Sequence, residues 1–181
     1  MKRGKVYVVS GFSGSGKTVL VDYILKHREN TVRAISFTTR PQRPGEVDGR
    51  DYFFIGKKAF LKKVEEGEFL EFSEVYGHLY GTGIDSFRPA GEGKDVIKII
   101  DVQGAMKLKR AGIKGVYIFL KVSKALLRKR LKGRDEAEIE LRLRGADNEL
   151  ALAKNFDYVI STPGGEDAIP RNAEKVMGVM V

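Results

Sequence analysis

Apolar positions along the chain follow two rhythms. In the first they form short, β-branched runs with little or no polar alternation: Lys5–Ser10 (KVYVVS), Asp95–Val102 (DVIKIIDV), Gly115–Val122 (GVYIFLKV) and Tyr158–Ser161 (YVIS). The first run predicts a strand buried on both faces, as at the centre of a parallel sheet, and the other three read as further core strands. The second rhythm is helical. It appears in Lys17–Arg28, where Leu20, Ile24 and Leu25 share a face, in QGAMKLKRAG between the second and third strands, and from about Ala168 to the end. Strands alternating with helices predict an α/β fold, a mostly parallel central sheet covered on both faces.

Two regions break the alternation. Residues 36–91 hold Pro/Gly turns, DYFFI, a short helix KKAFLKKVEEG and the hairpin-like EFLEFSEVYGHLYG, which together predict an antiparallel-leaning mixed α+β insertion. Near its end, Pro89 in IDSFRPAG interrupts a stretch where a helix is otherwise expected. Residues 124–150 are strongly charged and helical, with GRDE as a break and Asp135 as the expected N-cap of the helix after it. There are no internal repeats and no low-complexity tract. The expected division is core at 1–35, insertion at 36–91, core at 92–123, a second helical insertion at 124–146 and core again at 147–181.

A chain of 181 residues, 42% of them hydrophobic, suffices for one domain or one core with inserted pieces. Its 33 Lys+Arg against 24 Asp+Glu give a net charge of +9, which fits nucleic acid, anionic membrane or small phosphorylated ligands, and equally a solvated surface with surplus lysine. The aromatic–basic interleaving of a single-strand nucleic-acid platform is missing. With no cysteine, thiolate catalysis, disulfides and Cys-ligated metals are excluded, and His27 and His78 are too few for a histidine-built zinc centre. No apolar run approaches ~20 residues and no signal-peptide pattern opens the chain, so a soluble cytoplasmic protein is expected.

The stretch GFSGSGKT, Gly11–Thr18, lies between the first strand and the first helix and fits Gly, four residues, Gly-Lys-Ser/Thr. Gly11, Gly14 and Gly16 permit dihedrals that turn backbone N–H groups inward, and with Ser13 and Ser15 they form a ring around phosphate oxygens. The helix N-terminus adds partial positive charge. Lys17 is placed to reach β and γ phosphates, and the Thr18 hydroxyl to ligate Mg²⁺. The motif predicts a nucleoside triphosphate site.

Such a site fits a GTPase, a helicase or a small-molecule kinase alike. A second stretch narrows the choice. SFTTRPQRPGEVDGRDYFF, Ser36–Phe54, carries Ser36, Thr38, Thr39, Arg40, Arg43, Gly45, Glu46, Gly49, Asp51, Tyr52 and Phe54 at the spacing of the guanylate kinase family, which the chain resembles from the phosphate loop to about Tyr158. The resemblance implies a phosphate-loop NTPase three-layer fold, residues 36–91 as the GMP-binding insertion, 124–146 as a helical lid, and Mg²⁺-assisted transfer of phosphate from ATP to GMP, with dGMP as a further acceptor. It assigns Arg40, Arg43, Tyr52 and Tyr80 to the acceptor phosphate, and paired arginine forks suit a phosphate dianion. It assigns Glu71 to the guanine edge, where one carboxylate accepts from N1–H and N2–H₂ together, with Asp101, Ser36 and Thr82 beside it. Arg130, Arg134 and Arg142 match lid arginines that contact phosphates, with Arg128 and Arg144 as their neighbours.

The sequence departs from the family pattern in three places. Ile99 stands where Asp-x-Asp-x-Gln-Gly has its first aspartate, leaving Mg²⁺ to Thr18, phosphates and water, or Asp101 to serve twice. The lid is short and has GRDE for Gly-Arg-Gly-Thr, and ISTPGG replaces Val-x-Asn-Asp after the last core strand. The alternatives are a related phosphate-loop kinase with another acceptor and a catalytically weak guanylate kinase-like binding module. The first would not need Glu71, Tyr80 and the full arginine–tyrosine motif; the second typically has a degraded phosphate loop, and this one is intact.

Overall fold

A computed structural model describes residues 3–132, 136–165 and 167–180. Strand β1 (Val6–Gly11) opens the chain and is followed by α1 (Lys17–His27), β2 (Thr31–Ala34) and β3 (Ser36–Thr38). Next come β4 (Tyr52–Phe54), α2 (Lys57–Glu65), β5 (Phe69–Val75), β6 (His78–Gly83) and α3 (Arg88–Gly91). The remainder is β7 (Asp95–Ile99), α4 (Val102–Arg110), β8 (Val116–Lys121), α5 (Lys124–Leu131), α6 (Glu136–Leu152), β9 (Tyr158–Ser161) and α7 (Ala168–Met177). No helix among the described residues is long and apolar enough to cross a membrane.

Five strands form a wholly parallel sheet in the order β2-β7-β1-β8-β9. Successive residues of β1 point to opposite faces. Tyr7 and Val9 join Leu20, Val21 and Ile24 of α1 and Ala173 and Val176 of α7 in one apolar cluster. Val6 and Val8 join residues of α4, α5 and α6, among them Ala105, Leu108, Leu127 and Leu143, in the other. The expected three-layer α/β fold is therefore present, with a core on each side of the sheet. Edge strand β2 is one that the apolar pattern does not announce, because Arg33 interrupts it.

The second sheet has the order β4-β3-β6-β5. Its β3–β6 and β5–β6 pairs are antiparallel, but β3 and β4 run parallel, so the region is less antiparallel than its turns suggest. Residues Tyr76 and Gly77, both at positive φ (50° and 78°), make the two-residue hairpin turn between β5 and β6. The ring of Phe60, from α2, is fully buried and stacks on Phe69 with centroids 4.7 Å apart, while Phe37 stacks on Phe53 at 4.8 Å.

Pro89 does not prevent helix. A 3₁₀ turn at Ile84–Phe87 leads into α3, and Pro89 falls in that helix's first turn, where a backbone N–H has no intrahelical acceptor to lose. Ser123 caps α5 by accepting from the Leu126 N–H at 3.2 Å. Helix α6 runs unbroken across residue 146. The expected cap Asp135 and the expected lid arginine Arg134 lie outside the described residues.

Phe60→Ala leaves a void that the rings around it cannot refill, and it lowers stability by about 3 kcal/mol. Urea unfolding of the variant beside the wild type measures this, and an unchanged midpoint would show that the second sheet does not depend on that ring.

Candidate functional site

The loop Gly11–Thr18 leaves β1 at the carboxyl edge of the parallel sheet, where open α/β sheets bind ligands. Gly11 has a φ of +139°, and a Cβ there would sit 2.4 Å from the carbonyl oxygen of Leu120 on β8. Only glycine lets the chain turn so close to its neighbour. Gly16, at φ 90°, precedes α1 and has no side chain to cap it, so the first-turn N–H groups remain available to an anion. The Lys17 ammonium folds across the loop and donates to the carbonyls of Gly11 (2.6 Å) and Phe12 (2.9 Å). Burial lowers its pKa to about 8, with Glu149 and Asp101 opposing the shift and Arg142 adding to it.

Two arginines of the helical segment reach this loop. Arg130 donates to the Ser15 carbonyl at 2.5 Å. Arg142 donates to Ser13 Oγ, and its guanidinium lies 4.5 Å from the Tyr76 ring centroid on the β5–β6 turn. Arg142 thus links α6, the phosphate loop and the second sheet.

Across the cleft, Arg40 is almost fully buried. Its Nη2 meets Glu46 at 2.7 Å, its Nη1 donates to the Pro41 carbonyl at 2.7 Å, and the rings of Tyr52 and Phe54 lie 5.4 and 5.6 Å away. Glu46 also accepts from the backbone N–H of Arg43 at 2.8 Å, so one carboxylate holds the Arg40 guanidinium and the main chain at Arg43. Although desolvation pushes the other way, these hydrogen bonds and charges hold the Glu46 carboxyl below its ordinary range. Tyr80 acts on Arg40 electrostatically, and its ring stands 5.9 Å from that of Tyr52.

Glu71 is buried. Its Oε1 accepts from the Thr82 hydroxyl at 2.6 Å, and its Oε2 is buried with no hydrogen-bond partner. Burial raises its pKa, and the Thr82 hydrogen bond and Lys98 oppose that rise. Nearby, Asp101 accepts from the Gly104 N–H at 2.9 Å as the cap of α4 and from Ser73 Oγ at 3.3 Å.

These groups line a single cleft of about 690 Å³. Of the residues expected from sequence, Gly11, Ser13, Gly14, Gly16, Lys17, Thr18, Ser36, Arg40, Arg43, Tyr52, Glu71, Tyr80, Asp101 and Arg142 all face it. Ser15, Thr82 and Arg130 stand behind this wall: Thr82 supports Glu71, and Arg130 braces the loop through Ser15. Ile99 lines the cleft and also packs against the apolar cluster between the sheet and α1.

Comparison with known proteins decides the family. A family model described as guanylate kinase matches residues 3–177. The chain belongs to the guanylate kinase family. It is 46% identical to a guanylate kinase of Thermotoga maritima over 92% of this chain and 83% of that protein. With a Clostridioides difficile guanylate kinase it shares 40% identity over 99% of this chain and 88% of the other. Among solved structures, guanylate kinase from Anaplasma phagocytophilum aligns with a TM-score of 0.79 at 31% identity, covering 99% of this chain and 85% of that one. Shikimate kinase from Bacteroides thetaiotaomicron aligns at 0.53 and 12% identity, over 97% of this chain and 98% of that one, a likeness of fold alone.

Within this guanylate kinase frame three residues of the site escape sequence reasoning. Glu46 belongs to the second motif, but its hold on both arginines is visible only in space. Glu149 lines the cleft with Oε2 buried and unpartnered, and burial raises its pKa to about 7. Its position two helical turns after Arg142 is the signal that could have found it. Lys98 is fully buried in β7, and the signal was a lone charge in the apolar run DVIKII.

Because the folded-state pKa of Glu46 is depressed, its stabilisation is complete above the ordinary carboxylate range and is lost as pH falls through the folded value. Glu46→Gln lowers the melting temperature by roughly 3 °C at neutral pH, and thermal melts should show that gap closing as the solution is taken from about pH 6 toward pH 3. A gap that widened on acidification would mean that Arg40 is not held by the charge of Glu46.

Proposed function

We propose that this chain transfers the γ-phosphoryl group of ATP to GMP, and to dGMP, giving ADP and the guanosine diphosphate. The observation that carries this reading is that one cleft holds a phosphate loop with its lysine, a buried arginine–tyrosine cradle, and beside that cradle a buried carboxylate with one oxygen unsatisfied. Residues 36–91 serve as the acceptor region and 124–146 as the lid.

The loop amides and Lys17 bind the donor's β and γ phosphates. Arg40, Arg43, Tyr52 and Tyr80 bind the acceptor phosphate, oriented by Glu46. Glu71 accepts from N1–H and N2–H₂ of guanine. Asp101, Ser36 and Thr82 complete the base site, with Thr82 acting through Glu71. An acceptor phosphate oxygen forms the new bond to Pγ as the bond from Pγ to the β-bridging oxygen breaks. Transfer of this kind needs alignment and charge neutralisation rather than a protein nucleophile. Arg130, Arg134 and Arg142 supply positive charge near the moving group, and closing the lid excludes water that would otherwise hydrolyse ATP.

Mg²⁺ suits the residues present. Thr18 faces the cleft in the first turn of α1, and the orphaned Oε2 of Glu149 in the same cleft has the chemistry to accept from a cation's water shell. No group of three or more His, Asp or Glu among the described residues could hold a metal unaided, which fits an ion held mainly by phosphates. When bound, the ion would neutralise phosphate charge. Thr18 would hold it, and the loop amides would orient the phosphates beside it.

A coupled ADP-release assay with ATP, Mg²⁺ and each of GMP, dGMP, AMP, UMP and CMP tests the reading. Activity is expected with guanine acceptors only, and Lys17→Ala or Glu71→Ala should fall below about one-hundredth of wild type. Comparable turnover of AMP would defeat the base assignment, and equal ADP release without any acceptor would make the protein an NTPase.

A further inference from the structure

Lys98 is a lysine with no exposed surface on an interior strand of the parallel sheet. In β7 it is in register with Val8 of β1 on one side and Ala34 of β2 on the other. Alternation directs it to the face that also receives Val8 and Val96, away from the α1 side taken by Ile97 and Ile99. A charge there is costly to desolvate and is tolerated only with compensating partners. Its partners belong to the base-binding wall. Nζ donates to Ser36 Oγ at 2.7 Å and lies 3.5 Å from the Ala34 carbonyl, and the acid that acts on it electrostatically is Glu71. Ser36 and Glu71 line the cleft, with Lys98 behind them.

We propose that Lys98 is a positioning residue that sets acceptor specificity, turning the Ser36 hydroxyl proton outward into the cleft beside the Glu71 carboxyl group. The inference rests on the reading of this cleft as a GMP site. A serine hydroxyl on its own rotates to donate or accept as its neighbour requires. An ammonium donating to the oxygen fixes the rotor, because the hydroxyl proton must then point elsewhere. The wall thus presents a donor beside a carboxylate acceptor. Guanine presents the complement, the O6 acceptor beside the N1–H and N2–H₂ donors. Adenine puts an amino group where O6 would be and a lone pair where N1–H would be, so both contacts fail and buried polar groups stay unpaired.

The groups acting on Glu71 are Lys98 from β7, Lys107 from α4, the Thr82 hydroxyl from β6 and, with opposite sign, Asp101 at the start of α4. Burial lowers the pKa of Lys98 to about 7, and Glu71 opposes that shift. Removing the Lys98 charge leaves the Glu71 carboxyl easier to protonate.

The test compares wild type with Lys98→Met, which keeps side-chain length and discards the charge. KM for GMP should rise about tenfold, the loss of one charge-assisted contact, while kcat and KM for ATP change less than twofold. The acid limb of 1/KM for GMP should move to higher pH, a displacement that a merely structural role would not produce. The variant should also melt above the wild type. The sign comes from the depressed pKa: the buried charge costs stability below about pH 7, and that cost is relieved as pH rises toward the ordinary lysine range. The gap in melting temperature therefore narrows from about pH 7 to pH 10.

An active wild type and a Lys98→Met variant with the same GMP KM and the same acid limb would overturn the proposal and leave the GMP reading intact. A wild type that does not phosphorylate GMP would overturn both. Should Lys98→Met fail to fold, Ser36→Ala probes the same contact, and an unchanged GMP KM in that variant also counts against Lys98.

Discussion

Strand β1 runs parallel between β7 and β8, so three strands end at the same edge of the sheet. The rest of the molecule depends on this register. It brings Gly11 against Leu120 closely enough to exclude any side chain, and the chain must turn there into the loop that exposes its amides. It brings Val9 level with Ile99, so the start of α4, with Asp101 as its cap, opens onto the same cleft. An antiparallel neighbour on either side would carry one of these ends to the opposite edge.

The groups gathered at that edge are poorly satisfied by ordinary folding standards. Lys17 rests on two carbonyls, Glu71 and Glu149 each keep a buried oxygen without a partner, and Lys98 carries its ammonium into the core. Each would be better solvated in the unfolded chain, and the two apolar clusters on either face of the sheet offset that penalty. Side chains left short of partners before a ligand arrives are the ones able to bind it tightly. Structural acids in the same chain look different: Asp95 accepts from Arg28 and from the Lys5 N–H and is satisfied without any ligand.

The second sheet and the helical segment complete the cleft from outside the core. Glu46 holds the Arg40 guanidinium and the main chain at Arg43, and the hairpin turn places Tyr76 with its ring against the guanidinium of Arg142. Since Arg142 also holds Ser13, one side chain of α6 touches both the phosphate loop and the second sheet.

Much was legible in the sequence because it is local. Unbroken apolar runs gave the central strands, and the spacing of Gly11, Gly16, Lys17 and Thr18 gave the phosphate loop, since that geometry is a property of eight consecutive residues. The spacing of Arg40, Arg43, Tyr52 and Phe54 likewise gave the resemblance to the guanylate kinase family. Strand β2 was hidden because Arg33 breaks its apolar pattern, and that arginine reaches instead for Asp22 and Asp51. The parallel pairing of β3 with β4 was hidden because pairing direction depends on the path of the intervening chain. What only the tertiary structure decided is which charges are buried and whom they face. Lys98 stands out in DVIKII as a lone charge, but neither it, nor Glu46 among the turns, nor Glu149 on a charged helix declares its partner in one dimension. For Lys98 and Glu149 the decisive neighbours include residues dozens of positions away, Glu71 for one and Lys17 for the other, and for all three desolvation is a property of the packed interior that no linear spacing encodes.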